Sequence, residues 1–189
     1  MAAPTGFIFQ AAAMQYRTNS PLHIHALDDS AALNRALVTG VARYADDPAT
    51  RKTHFFHGRY ENLYIDRARI PELGTVLDAA AVVARQLLGL PDTAPLRCGG
   101  WFNRMGPGQV TLPHRHDDDD ELLSAVYYVQ VPPESGELLL HEPPVHTRVE
   151  PREGTFVFFP PTVLHEVTEN RSTRERLSIG INIGPPRDD

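Results

Sequence analysis

The chain carries a single cysteine, Cys98, in 189 residues. One thiol cannot close an internal disulfide, so no disulfide framework supports this fold, and a reducing compartment suits it. Its plain reading is a small buried thiol. Basic runs are missing as well. Eighteen Lys and Arg against 24 Asp and Glu leave a formal net charge of −6, which argues against nucleic acid or an anionic membrane surface as a partner. No apolar stretch approaches the ~18 residues of a membrane span. The opening Met1-Ala2-Ala3-Pro4-Thr5-Gly6-Phe7-Ile8-Phe9 lacks both a positive start and a long apolar segment, so no targeting signal is expected. Together these absences predict a cytoplasmic protein without a membrane or nucleic-acid partner. The length fits one domain over 1–189, long enough to bury a core.

What is present divides into two textures. After Asp28-Asp29-Ser30, the residues Leu33, Leu37 and Val41 recur at helical spacing, predicting an amphipathic helix that ends near Tyr44. A second helix is expected from Pro71, with Leu73, Val76, Leu77, Ala80, Val83, Ala84 and Leu87 on one stripe and Gly89 and Pro91 as its stop. Between them, His54 to Ile65 reads as one or two strands, and the helices should pack outside a sheet. After Leu96 short strand-like runs follow one another, from Gly100 to Arg104 through to Arg176 to Ile183, separated by breaks such as Gly106-Pro107-Gly108 and Pro132-Pro133-Glu134-Ser135-Gly136. That spacing predicts an antiparallel sandwich, barrel or jelly roll. Residues 1–96 would then supply helical support and the first strands, and 97–184 the core that carries the site.

Within that core lies Leu112-Pro113-His114-Arg115-His116, and some fifty residues later Phe158-Phe159-Pro160-Pro161-Thr162-Val163-Leu164-His165-Glu166-Val167. On an extended strand the side-chain period is two, so His114 and His116 would share a face while Arg115 points away. A third histidine from a distant strand would close a three-nitrogen cap on a divalent metal, with other positions left for substrate and oxygen. Spacing alone is a weak signal, because His23-Ile24-His25 repeats it in the amino-terminal segment. That pair reads as structural. The Asp117-Asp118-Asp119-Asp120-Glu121 run reads as a solvated loop, with metal binding or recognition of a cationic substrate as the other reading. Trp101 and Phe158 read as core residues, and Glu61, Asn62, Asn103 and Asn182 as residues of a site mouth or of strand ends.

Taken in order, Trp101-Phe102-Asn103, Pro113-His114-Arg115-His116, Leu123-Ser124-Ala125-Val126-Tyr127-Tyr128-Val129, Gly154-Thr155-Phe156-Val157-Phe158-Phe159-Pro160, His165-Glu166-Val167 and Arg176-Leu177-Ser178-Ile179-Gly180-Ile181-Asn182 resemble a bacterial and phage group of 2-oxoglutarate and iron(II)-dependent oxygenases. The group is of a His-x-His type and is similar, more distantly, to prolyl hydroxylases. The resemblance implies a mainly β chain folded as a double-stranded β-helix, a cupin-like jelly roll, with flanking amino-terminal helices and iron at its open end. It places His114 and His165 on the metal, Arg176 and Ser178 on the remote carboxylate of 2-oxoglutarate, and the Tyr128 phenol on the same carboxylate. Arg174 shares strand parity with Arg176 and competes for that role. No catalytic residue beyond the metal centre is implied.

The third ligand stays open. Most of the superfamily places a carboxylate two residues after the first histidine, whereas this chain has His116 there. In one reading His114, His116 and His165 hold the metal. In the other the register slips by two, so that His116 and Asp118 serve and His114 stands behind them. Pro113 and the distance onward to Tyr128 match the first reading better. A neutral third ligand would leave the centre one unit more positive, raising its potential and strengthening anion binding.

The expected activity is that of an iron(II)/2-oxoglutarate-dependent dioxygenase, hydroxylating a small molecule or amino-acid-derived substrate with dioxygen and releasing succinate and CO2. Two alternatives remain at this level: a three-histidine cupin-like dioxygenase without 2-oxoglutarate, and a non-catalytic metal-binding jelly-roll module. Oligomeric state is not legible.

Overall fold

The computed structural model describes residues 22–56, 58–116 and 120–187. Among these, eleven strands and two helices run in the order β1 (His23–Ala26), α1 (Ser30–Tyr44), β2 (Arg51–Phe56), β3 (Arg59–Tyr64), α2 (Pro71–Leu88), β4 (Arg97–Met105), β5 (Thr111–His114), β6 (Leu123–Gln130), β7 (Leu138–Glu142), β8 (Val145–Val149), β9 (Thr155–Phe159), β10 (Leu164–Val167) and β11 (Arg176–Gly184). They form a seven-stranded sheet, β1-β9-β6-β11-β4-β3-β2, and a four-stranded sheet, β5-β10-β7-β8. Every pairing is antiparallel. The chain is a mainly β jelly roll with flanking helices, as expected. The three amino-terminal strands extend the same large sheet, β1 on one edge and β3 and β2 on the other.

Alternation along each strand divides the apolar side chains between two cores. Phe156 and Phe158 of β9 face the helices, whereas Val157 and Phe159 face the space between the sheets. Tyr127 and Tyr128 split the same way, as consecutive residues on a pleated strand must. The helices α1 and α2 cover the outer face of the large sheet, with Leu37, Val41, Val76 and Ala80 fully or almost fully buried there.

Helix α1 begins where expected, yet Asp29 caps nothing: it is left-handed at φ 51 and its side chain makes no cap hydrogen bond. Asn34, rather than Leu33, is buried with Leu37 and Val41, because its Oδ1 accepts the Tyr127 hydroxyl at 2.7 Å. Helix α2 starts on Pro71 and stops at left-handed Gly89. There the Gly89 N–H donates to the Gln86 carbonyl and the Leu90 N–H to that of Arg85, so two terminal carbonyls are satisfied without water. Leu87, expected on the buried stripe, is 39% exposed in the last turn. Neither helix is long and apolar enough to cross a membrane.

Candidate metal centre and anion pocket

Strands β5 and β10 pair at the edge of the small sheet, with His114 directly opposite His165. Between that pair and the next, Val167 with Thr111, the register shifts. Three steps along β5 therefore match two along β10, a bulge at Leu112-Pro113. Pro113 is tolerated there because β5 is an edge strand. The bulge lets both Thr111 and His114 line the interior cavity, which strict alternation would forbid. His116 lies two residues beyond the end of β5 rather than on it, held by its N–H on the Pro161 carbonyl at 2.9 Å. Simple strand parity therefore does not describe how it joins its neighbours.

The three imidazoles nonetheless meet. Ring centroids are 4.2 Å apart for His114 and His165, 5.1 Å for His114 and His116, and 5.2 Å for His116 and His165. One nitrogen from each lies within 4.8 Å of the others, the only such grouping of three metal-capable side chains among the described residues. Two of the tautomers follow from chemistry. His114 Nδ1 faces the Leu112 carbonyl at 2.8 Å and His165 Nδ1 faces the Val163 carbonyl at 2.9 Å. A carbonyl only accepts, so each Nδ1 carries the proton and each Nε2 keeps its lone pair. Burial, with His114 close by, pushes the His165 pKa down to about 3. The ring is therefore neutral at physiological pH, the form that binds a cation. This donor set fits an iron ion, which accepts imidazole readily. Asp118, the alternative partner in the slipped register, lies outside the described residues.

The cavity continues along β11, whose Arg176, Ser178, Gly180 and Asn182 all line it. Arg176 is 2% exposed. Its guanidinium donates to the Gly136 carbonyl at 2.8 Å and more distantly to that of Ser135 at 3.4 Å. The Tyr128 side chain adjoins it, with the guanidinium carbon 5.2 Å from that ring's centre. Among the described residues no carboxylate forms an ion pair with it, and burial lowers its pKa. A buried cation with only neutral partners is costly unless an anion joins it. Thr111 Oγ1 and Ser124 Oγ, buried on the same cavity, also find no hydrogen-bond partner among the described residues. The pocket thus has the chemistry of an anion site, and a dicarboxylate such as 2-oxoglutarate fits it.

The competing arginine is separated from the site. Arg174 is exposed, in a turn organised by Asn170, which is fully buried and donates from Nδ2 to the carbonyls of Met105 and Arg174. Tyr128 stands behind the guanidinium rather than among the residues lining the cavity. The loop before β7 supplies its carbonyls through Gly136, at φ 93, where the Thr168 carbonyl oxygen occupies the space that a Cβ would need, so only glycine fits there.

Trp101, expected in the core, lines the cavity instead, its ring 5.8 Å from that of His116. It lies across the sheet because Gly180 has no side chain: a Cβ there would come within 2.5 Å of the indole. Phe158 is core, as expected. Glu61, Asn62, Asn103 and Asn182 all line the cavity. It opens into a cleft of ≈ 470 Å³ walled by β2, β3 and the β5 edge, including His54, Phe55, Leu112, Arg115 and Glu121. Sequence reasoning missed Thr111, hidden by the bulge, and Ser124. The latter was in principle legible, since it shares the parity of Tyr128 on β6.

Residues 100–184 match the family model described as the 2OG-Fe(II) oxygenase superfamily. Among solved structures, a Pseudomonas putida prolyl-4-hydroxylase is similar at 25% identity, with 88% of this chain and 94% of that chain covered and a TM-score of 0.65. An oxidoreductase of the 2OG-Fe(II) oxygenase family from Burkholderia pseudomallei is similar at 20% identity, covering 86% and 84%, with a TM-score of 0.60. The carbocyclase SnoK from nogalamycin biosynthesis shares the fold at 16% identity, covering 88% and 80%, with a TM-score of 0.70. No curated protein matches the sequence at a significant level. Residues 100–184, which hold every ligand and anion-binding candidate named above, thus match the 2OG-Fe(II) oxygenase superfamily, enzymes that use iron and 2-oxoglutarate.

Proposed function

We propose that His114, His116 and His165 hold the iron of this oxygenase, that Arg176 and Ser178 grip the remote carboxylate of 2-oxoglutarate, and that a small molecule or amino-acid-derived substrate enters through the cleft to be hydroxylated. The observation that carries this reading is the buried Arg176 guanidinium without a described carboxylate partner, on the cavity that also holds the three imidazoles. Bound iron and 2-oxoglutarate supply the oxidising chemistry, with dioxygen consumed and succinate and CO2 released.

The protein's own contribution is positioning and electrostatics. The carbonyls of Leu112 and Val163 fix two imidazole tautomers, so their lone pairs need no reorganisation on metal binding. Tyr128 orients Arg176 from behind, its ring against the guanidinium that meets the carboxylate. A guanidinium desolvated to this extent gives charge-assisted bonds that a lysine could not match in geometry. Trp101 and Phe159 flank the metal-side imidazoles and exclude water. The cleft volume falls in the ~300–1,000 Å³ range of small-ligand sites.

A cytoplasmic setting is part of the proposal: the lone Cys98 thiol is pushed up to about 11 by burial, which keeps it protonated and unreactive. The described residues 22–56 and 58–96 act as support and as one wall of the cleft within a single domain. The deciding experiment is an anaerobic titration of the iron(II) protein with 2-oxoglutarate, expected to produce a visible metal-to-ligand charge-transfer band. A protein that binds iron and gives no such band is not using 2-oxoglutarate at this centre.

A further inference from the structure

A second group of metal-capable side chains lies on the opposite face of the small sheet. In the β7–β8 pair, His141 stands directly across from His146. Their strand neighbours Leu140 and Thr147 are buried toward the barrel, at 1% and 4% exposure, so the two histidines project outward. Their Nδ1 atoms are 2.9 Å apart. On the far side of His141, Nε2 lies 2.9 Å from Oε1 of Glu166 on β10.

The carboxylate fixes the proton arrangement. Glu166 accepts, so His141 carries its proton on Nε2 and offers the Nδ1 lone pair toward His146. With the two rings bonded to each other, His146 donates its own Nδ1 proton into that lone pair. A cation can take the place of this one proton, while His146 moves to the tautomer protonated on Nε2, with no change in the protein's net charge. A carboxylate on the outer nitrogen is one of the acceptors that hold the other N–H of metal-bound histidines. The bite is also informative. Two nitrogens at ~2.0–2.1 Å from one ion are about 2.9 Å apart at a right angle and about 3.3 Å apart at a tetrahedral angle. The observed spacing is that of the hydrogen bond, so each ring must turn for both lone pairs to meet one ion in cis positions, and nickel(II) and copper(II) are the imidazole-seeking ions with a tetragonal or octahedral preference.

We propose that His141 and His146 form an outer two-histidine clamp for a nickel(II)- or copper(II)-type ion, with Glu166 as the orienting carboxylate and water in the remaining positions. The clamp is separate from the three-histidine centre, since it lies on the outer face of the sheet, whereas His165 lines the cavity. It ties the β7–β8 hairpin to β10, the strand that presents His165.

The test uses the untagged full chain, dialysed to equilibrium against nickel(II) and assayed for bound metal by elemental analysis. Four proteins are compared: wild type, His146→Ala, His165→Ala and the double variant. His146 is exposed, so its replacement leaves the fold intact. The expected result is one nickel fewer per chain on His146→Ala in both backgrounds, wild type and His165→Ala, whatever the inner centre itself retains. Equal nickel counts with and without His146 in both backgrounds overturn the proposal. Loss of the three-histidine centre's own metal leaves this difference unchanged, so the two readings fail independently.

Discussion

The sequence contains the His-x-His pattern twice near a strand, and the two copies have opposite fates. His23 and His25 lie on β1, paired with Phe158 and Phe156 of β9, and their rings rest against those phenylalanines at 6.3 and 6.4 Å. They belong to the helix side of the large sheet, and no third metal-capable side chain joins them among the described residues. His114 and His116 sit at the barrel mouth, where the facing strand presents His165. The difference teaches that spacing creates only a pair, and that a facing strand on the concave side turns a pair into a cluster. Burial acts on both regions, lowering the pKa of His23 as well as that of His165, so a neutral imidazole by itself does not distinguish them.

The sharpest way to break this comparison is by substitution at both copies. His114→Ala or His165→Ala is expected to abolish stoichiometric iron binding, measured by metal analysis of folded protein, while His23→Ala and His25→Ala keep it in full. Iron retained by both of the first variants would place the centre elsewhere. The third ligand is read in the same assay: His116→Ala should lose iron and succinate formation, whereas Asp118→Ala keeps both. An iron-free Asp118→Ala protein would instead establish the slipped register, in which His114→Ala costs only the roughly 10–100-fold of an outer partner.

A smaller but still large effect concerns the anion end. Arg176→Ala should weaken 2-oxoglutarate by roughly 2–4 kcal/mol, as for removing one partner of a desolvated charged pair, with iron retained. Arg174→Ala should leave affinity unchanged, and calorimetric titration of both variants checks the contrast.

Acid stability tests the neutral His165. In the metal-free protein its pKa of about 3 lies below the ordinary value of 6.5, so between these values the unfolded chain binds more protons than the native one. Stability is therefore fully present above about 6.5 and is lost as pH falls toward 3, by on the order of a few kcal/mol. His165→Gln should flatten that slope in urea-unfolding curves measured across this range, and an unchanged slope would show that His165 is not the group held neutral.

The smallest effect lies away from the cluster, in the helix-side core that holds the first histidine pair. Tyr127→Phe removes the buried bond to Asn34 and should cost about 1–3 kcal/mol in unfolding free energy through the stranded amide oxygen, with iron content and 2-oxoglutarate affinity untouched. A change in either would mean that the outer core couples to the centre.

Much of the architecture was legible from local rules. Both helices begin and end within a residue or so of the positions marked by Ser30, Pro71 and Gly89, because capping and helical periodicity act over a few residues. The strands from β4 to β11 follow their alternation and Gly or Pro breaks for the same reason. The candidate site was legible in its residue types, since few arrangements other than an anion pocket beside a metal place His-x-His, a distant histidine and Arg-x-Ser along one series of strands. Other features depended on the third dimension. The bulge at Leu112-Pro113 that turns Thr111 inward arises from pairing with β10, which no local pattern reports. Trp101 lies in the cavity because Gly180, nearly eighty residues away, leaves room for its ring, and Arg176 differs from Arg174 through burial beneath the Ser135-Gly136 turn. The sequence by itself determined the elements and the chemistry available to them. Only the tertiary structure decided which imidazoles meet and which guanidinium loses its water, because both depend on contacts between segments far apart in the chain.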